Sequence, residues 1–213
     1  MKKALLSLFI VLCVPAVMSA QQKKDMYISG NFTIEGGNTS STSGNTVTKT
    51  PGTLSFGIAP QFGYFVIDRL EVNLSLGYSL DRYANGQDSE GNNLFRRTNV
   101  FEIVPGVRYY VPLGEKFWYT PGFDLSVGVG GSSRDIDLQT TSKSGLTRFG
   151  LSLSAIAFEF RPADHFGITL RAGGLTYTMD RTSSKGSVKS TSTSNDVSFR
   201  INTGVGIGFK YYL

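Results

Sequence analysis

The stretch that decides the fold is Leu70-Glu71-Val72-Asn73-Leu74-Ser75-Leu76-Gly77-Tyr78-Ser79-Leu80. Alternate positions carry Leu, Val, Leu, Leu, Tyr and Leu, and the positions between them carry Glu, Asn, Ser, Gly and Ser. A period of two residues is that of a β-strand, whose side chains point alternately to opposite faces. The stretch therefore predicts a strand with one apolar face and one face of small or polar residues.

The same alternation recurs along the chain and predicts eight strands. We expect them at about 26–35, 53–65, 70–80, 98–111, 117–130, 146–160, 166–177 and 196–212. Long polar connections (36–52, 81–97, 131–145 and 178–195) alternate with short ones (66–69, 112–116 and 161–165). Antiparallel hairpins of this kind place all long loops at one end and the tight turns at the other. Eight tilted strands can close into a barrel without a free edge.

The two strand faces indicate which solvent surrounds this barrel. Apolar-face positions far outnumber the roughly twelve side chains that fill a related barrel core. The other face is mostly Gly, Ser, Asn and Thr, whereas a soluble surface would carry many more Lys and Glu. This disfavours a soluble, lipocalin-like carrier. The sequence predicts an all-β, eight-stranded antiparallel up-and-down transmembrane β-barrel with its apolar face in lipid.

Aromatic residues collect near both ends of the predicted strands, as expected of rings at the two membrane interfaces. The short-turn end has Tyr64, Phe65, Tyr109, Tyr110, Phe117, Trp118, Tyr119, Phe158, Phe160, Phe166, Phe209, Tyr211 and Tyr212. The long-loop end has Phe32, Phe56, Tyr78, Phe101, Phe149, Tyr177 and Phe199. The alternation slips near Ser154-Ala155, which predicts a β-bulge, and further bulges are expected at the in-strand prolines, Pro60, Pro105 and Pro121.

The first twenty residues have the features of a signal peptide. Lys2 and Lys3 precede an apolar run over 4–17, and small residues allow cleavage after Ser19 or Ala20. The predicted mature chain is the barrel domain, 21–213. It lacks the single cysteine, Cys13, so we expect neither disulfides nor a thiolate site. Loss of two lysines takes the net charge from +5 to +3, too weak an excess to indicate nucleic-acid binding.

Charged residues on the predicted inner face are balanced in sign. The acids are Glu71, Glu102, Asp124 and Glu159, and the bases are Arg108, Arg171, Arg200 and Lys210. A charge in a narrow lumen must be paired or hydrated, so we predict an ion-pair network that fills the barrel. Glu71 with Arg108, and Asp124 with Arg171, are the pairs expected from depth along the strands. The alternative is a charge-lined pore.

The sequence does not indicate an enzyme. His165 is the only histidine, and it falls in a short turn beside Asp164, at the end of the barrel away from the long loops. No catalytic residue, cofactor or metal ligand is predicted. The carboxylates in 134–137 lack the Gly and Glu of an EF-hand loop.

The segment from Pro60 to Leu70, followed by Leu74 to Tyr78, resembles the porin-family outer-membrane β-barrel domain of Gram-negative bacteria, of the OmpA/OmpX type. The resemblance implies a monomeric outer-membrane protein whose partners are membrane lipid and lipopolysaccharide. Gly208, Tyr211 and Leu213 resemble the strand signal read by the barrel-assembly machinery, although that signal usually ends in an aromatic residue.

The function expected from these features is a structural or surface-interaction role. We expect the lumen to be plugged by side chains, and the Ser- and Thr-rich loops to be mobile and exposed outside the cell. A ligand for the loops is not identified by the sequence. The alternative function is a porin or transporter channel for small solutes.

Overall fold

The computed structural model describes residues 24–43, 46–88, 90–136, 141–184 and 190–213. Side chains are described over the same ranges except at 39–51, 85 and 200–206. The predicted signal peptide lies outside the described residues. Within them, no helix is long and apolar enough to cross a bilayer.

The described residues form ten strands of one antiparallel sheet. They are β1 (Met26–Ser43), β2 (Thr46–Ile67), β3 (Leu70–Gln87), β4 (Asn93–Tyr109), β5 (Val111–Gly114), β6 (Phe117–Tyr119), β7 (Gly122–Asp135), β8 (Thr141–Ala163), β9 (Phe166–Ser184) and β10 (Ser190–Tyr212).

Eight of these strands make a closed ring. β1 to β4, β7, β8, β9 and β10 pair in that order, and β10 returns to β1 through Tyr27↔Tyr212, Ile28↔Tyr211 and Ser29↔Lys210. The short β5 and β6 pair with each other, and β6 continues the sheet onto β8. The predicted eight-stranded antiparallel barrel is confirmed.

The structure corrects the predicted loop boundaries at the long-loop end. Strand pairing continues through most of these segments, from Gly36↔Leu54 to Ser43↔Thr46 and from Asp81↔Thr98 to Gln87↔Asn93. The polarity of threonine and serine predicts loops here, but threonine is also a good strand residue, and a paired ladder satisfies the backbone. We call the four paired segments at this end the extended hairpins. They are 36–43 with 46–54, 81–87 with 93–98, 131–135 with 141–145, and 178–184 with 190–196.

The extended hairpins reach far beyond a membrane. β2 has 22 residues, which corresponds to a length of about 70 Å. With a barrel tilt of about 40° it rises about 55 Å, roughly twice the about 25 Å apolar band of an outer-membrane barrel. About half of β2 therefore extends beyond the apolar band.

The predicted apolar face points outward where side chains are described. Phe62, Leu74, Ile103 and Phe123 are each 44–45% exposed although they lie within strands. On β4 the outward positions are apolar from Tyr109 to Phe101 and become polar at Asn99 and Arg97. This switch marks the upper edge of the apolar band.

The predicted aromatic girdle at the short-turn end is only partly correct. Phe65, Tyr110, Trp118 and Tyr212 are buried, and together with Tyr27 they form one cluster inside the barrel. Tyr109 and Tyr211 are 48% and 58% exposed on the outer surface. Neighbouring residues of a strand face opposite ways, so each adjacent tyrosine pair supplies one ring to the surface and one to the lumen.

The bulge predicted near Ser154-Ala155 is confirmed, because the β8–β9 register shifts between Ser154 and Ala157. The bulges predicted at Pro60 and Pro105 are wrong. Pairing lapses around each proline, yet the register before and after it is unchanged. A missing N–H removes a ladder hydrogen bond without requiring an extra residue. Pro121 lies in the break between β6 and β7.

Candidate functional site

The short-turn end of the lumen contains a buried charge cluster centred on Lys210. Its ammonium Nζ lies 3.0 Å from Glu71 Oε2 and 3.1 Å from Glu159 Oε2. Both glutamates are fully buried, and Lys210 is 3% exposed. The three strands that supply these groups, β3, β8 and β10, approach one another across the lumen. One cation thus lies between two carboxylates that are far apart in the chain.

Tyrosine hydroxyls complete the coordination of this cluster. Tyr27 donates to Glu71 Oε1 at 2.6 Å, Tyr110 donates to Glu71 and its hydroxyl oxygen lies 3.1 Å from Glu159 Oε2, and Tyr212 donates to Glu159. The Lys210 ammonium also lies 4.0 Å from the centre of the Tyr27 ring. Buried charges need such partners, since water is not there to solvate them. We call Tyr27, Glu71, Tyr110, Glu159, Lys210 and Tyr212 the plug cluster.

A second ion pair lies next to the plug cluster. Arg108 Nη2 is 3.1 Å from Asp124 Oδ2, and the Arg108 side chain is 5% exposed. The predicted partners therefore differ from those in the structure, where Glu71 contacts Lys210 and Arg108 contacts Asp124. The depth of a residue along its strand indicates its height in the lumen. It does not indicate whether its partner at that height lies on the neighbouring strand or across the lumen. The Arg108 side chain also explains why position 122 is glycine, since a Cβ there would meet it.

The remaining predicted lumen residues lie above these pairs. Glu102 Oε1 is 3.3 Å from Arg148, which also contacts Asp180 at 2.7 Å. Arg171 borders a cavity of about 760 Å³. The Arg200 side chain lies outside the described residues. Asp180 is missing from the predicted lumen residues because it falls in the connection predicted at 178–195. Arg148 is missing although it falls in the strand predicted at 146–160, where the period-two pattern places it on the inner face.

The half of the lumen toward the extended hairpins is open and hydrophilic. The cavity beside Arg171 is joined there by another of about 730 Å³, lined by residues that include Ser55, Asp81, Arg96 and Thr182. Serine and threonine supply nearly half of each lining, and charged residues supply much of the rest. The barrel therefore has a packed end and a spacious end.

The other residues singled out from the sequence lie at the short-turn end. His165 Nδ1 is 2.9 Å from the Tyr212 carbonyl oxygen, in the turn between β8 and β9. Tyr211 and Leu213 face outward, 58% and 60% exposed, and Gly208 faces Thr169. Among the described residues, no group of three or more His, Cys, Asp or Glu side chains could hold a metal ion.

Comparisons with known proteins identify a family for this chain. The chain is similar in structure to the outer membrane protein OprG of Pseudomonas aeruginosa, with 19% identity and a TM-score of 0.51 over 92% of this chain and 99% of that one. The attachment invasion locus protein Ail of Yersinia pestis matches with 13% identity and a TM-score of 0.44 over 90% and 100%. No curated protein matches by sequence. A family model of the outer membrane protein β-barrel domain matches residues 4–213, and the chain belongs to this family.

Proposed function

We propose that the protein is a non-conducting outer-membrane barrel, closed at its short-turn end, that presents rigid hairpins outside the cell. Short turns face the periplasm in outer-membrane barrels, and the longer connections face the medium. The extended hairpins then project outward, and the plug cluster lies toward the periplasm. The signal peptide predicted at 1–20 is consistent with export to this membrane.

The observation that carries the proposal is the plug cluster. Six large side chains meet across the lumen, and every charged member has an opposite charge within about 3 Å. An ion or solute would have to separate these pairs inside a medium of low dielectric, which costs several kcal/mol for each charge exposed without a partner. Tyr27, Tyr110 and Tyr212 further narrow the path, because all three rings are at most 1% exposed.

The extended hairpins support a role in surface interaction. Paired strands hold their side chains in fixed positions, whereas a mobile loop would lose entropy on binding. Their inner surface is hydrophilic and roomy. A partner could therefore be recognised by a preformed surface. Recognition does not then require the mobile loops that the sequence predicts.

We also propose a contact with anionic membrane lipid just above the apolar band. Arg82 and Arg97 face each other in register on the outer surface, and both guanidinium groups lie near the Phe95 ring, at 4.8 and 5.8 Å. Asp135 neutralises Arg97 at 3.1 Å. The Arg82 Nε atom is buried, so the terminal nitrogens of its guanidinium would make the contact with a lipid phosphate at this height.

Planar-bilayer recordings of the refolded mature chain test the closed barrel. We expect no ion conductance from the wild type. The double variant Tyr110→Ala/Tyr212→Ala, which removes two rings from the plug cluster, should conduct. The matched control is Tyr109→Ala/Tyr211→Ala, which removes the outward tyrosines next to them and should stay silent. Heat-modifiable gel mobility checks that each variant is folded.

Conductance of porin size from the wild type would overturn the proposal. It would support the alternative, a channel for small solutes, which the wide cavities at the other end of the lumen favour.

A further inference from the structure

Two arginines face each other inside the extended hairpins. Arg96 on β4 pairs in register with Arg134 on β7, and both side chains border the same cavity within the barrel. Like charges directly opposite on neighbouring strands are destabilising unless something compensates them. The arrangement therefore needs a counter-charge.

The cavity that they border offers no carboxylate from the described residues. It has a volume of about 210 Å³, and all its other lining residues are serine or threonine, among them Ser132, Ser144 and Thr182. Arg96 Nε donates to Ser132 Oγ at 3.1 Å. Asp81, an inward acid on the neighbouring strand, lines the adjoining larger cavity.

The neighbouring arginines contrast with this pair. Arg148 has both Glu102 and Asp180 within 3.3 Å, and the outward Arg97 has Asp135 at 3.1 Å. Within the described ranges, Arg134 makes no ion pair. Asp135 follows it directly in sequence but points to the opposite face, where it binds Arg97. Among the described residues, neither inward guanidinium group therefore has a carboxylate partner.

We propose that Arg96 and Arg134 form a binding site for a doubly charged oxyanion, a phosphate or sulfate group. Two guanidinium groups match its charge, and their planar N–H donors suit its oxygen atoms. The surrounding hydroxyls can donate further hydrogen bonds, and can also bind the hydroxyls of a sugar that carries the anion. The cavity lies within the extended hairpins, far above the plug cluster, so the site does not depend on whether the lumen conducts.

Isothermal titration calorimetry on the refolded mature chain in detergent micelles tests the site. The probes are inorganic phosphate, glucose 6-phosphate and glucose, each at constant ionic strength in chloride. Both phosphates should bind saturably with one site per chain, and glucose should not. Tighter binding of glucose 6-phosphate would identify a sugar-borne anion as the preferred ligand, whereas equal binding would identify the free anion.

The variants Arg96→Gln and Arg134→Gln should each weaken phosphate binding about tenfold or more, the usual effect of losing a charged hydrogen-bond partner. Arg134→Lys keeps the charge and should bind with intermediate affinity. The matched control is Arg181→Gln, an exposed arginine on the outer surface of β9, which should bind as the wild type does. Absence of saturable phosphate binding, or binding that survives both glutamine substitutions, would overturn the proposal.

Discussion

Lys210 is the residue on which the plug cluster depends. It lies within 3.1 Å of two fully buried carboxylates, and removing one partner of a buried ion pair leaves an uncompensated charge that costs about 3–5 kcal/mol. Lys210→Met should therefore lower the free energy of unfolding by about that amount. Urea unfolding of the protein in lipid vesicles, followed by tryptophan fluorescence, measures the change.

A triple variant separates the effect of charge from that of packing at this position, and a surface variant is its control. Adding Glu71→Gln and Glu159→Gln to Lys210→Met removes the uncompensated carboxylates and should restore part of the loss. Lys143→Met, at an exposed position of β8, should have little effect. Equal destabilisation by the single and the triple variant would show that packing, and not charge, dominates.

Gly63 illustrates a steric requirement that faces the same cluster. A Cβ at this position would overlap the ring of the buried Tyr27, which donates its hydroxyl hydrogen bond to Glu71. Gly63→Ala should displace that ring and lower the free energy of unfolding by about 1–3 kcal/mol. The unfolding midpoint in urea measures the change.

Gly57 is the control for this prediction because it faces the same lumen from the same strand, β2. The nearest atom to a Cβ there is the Thr33 Cβ at 3.7 Å, an ordinary contact. Gly57→Ala should therefore be tolerated. Equal loss of stability in the two variants would show that the Tyr27 ring does not explain the glycine at position 63.

Partners at the residue scale were the least predictable part of the structure. The sequence placed Glu71, Arg108, Asp124 and Lys210 on the inner face, and they lie there. It could not show which of them meet, because barrel closure brings Lys210 of the last strand to Glu71 of the third. That contact joins residues 139 positions apart.

At the scale of the element, the tip of the β3–β4 hairpin is held by one carboxylate. Asp88 accepts hydrogen bonds from the backbone N–H of Asn92 at 2.8 Å and of Glu90 at 2.9 Å. Hydrogen bonds from Asn92, and to a smaller extent from Glu90 and Gly91, lower the pKa of Asp88. Gly91 has a φ of 83°, which glycine adopts without strain.

The lowered pKa gives this turn a pH dependence of defined sign. Stabilisation by Asp88 is complete above the ordinary aspartate pKa of about 3.9 and is lost as the pH falls through its lower value in the folded protein. The amide resonances of Glu90 and Asn92 should shift on acidification below about pH 4. Asp88→Asn should abolish that titration. Resonances that do not move in the wild type would contradict the assigned turn.

The strands were predictable to the extent that lipid imposes alternation on them. Within the apolar band, from Leu70 to Leu80 for example, one face must be apolar, so the period of two is visible. Beyond the band both faces meet water, and the alternation disappears from the sequence although the pairing continues. This is why the sequence predicts loops where the extended hairpins lie.

At the scale of the whole molecule, the barrel is asymmetric along its axis. Large side chains fill the lumen at the short-turn end, whereas serine, threonine and the arginine pair of Arg96 and Arg134 line it at the hairpin end. The aromatic composition alone did not predict this asymmetry, because tyrosine serves both the outer interface and the plug cluster. The two roles are distinguished by whether a tyrosine occupies an outward-facing or an inward-facing position in the alternation of its strand.

Labelling of single cysteines in intact cells tests the closed, outward-open barrel most directly. The predicted mature chain has no native cysteine, so a single introduced cysteine reports one depth of the lumen. Thr178→Cys probes the large cavity. Asn73→Cys probes the region beside the plug cluster, where Asn73 is 6% exposed. A membrane-impermeant maleimide added outside the cells should modify the cysteine at position 178 rapidly and leave that at position 73 unmodified. Rapid modification at both positions would show a continuous aqueous path and contradict the account.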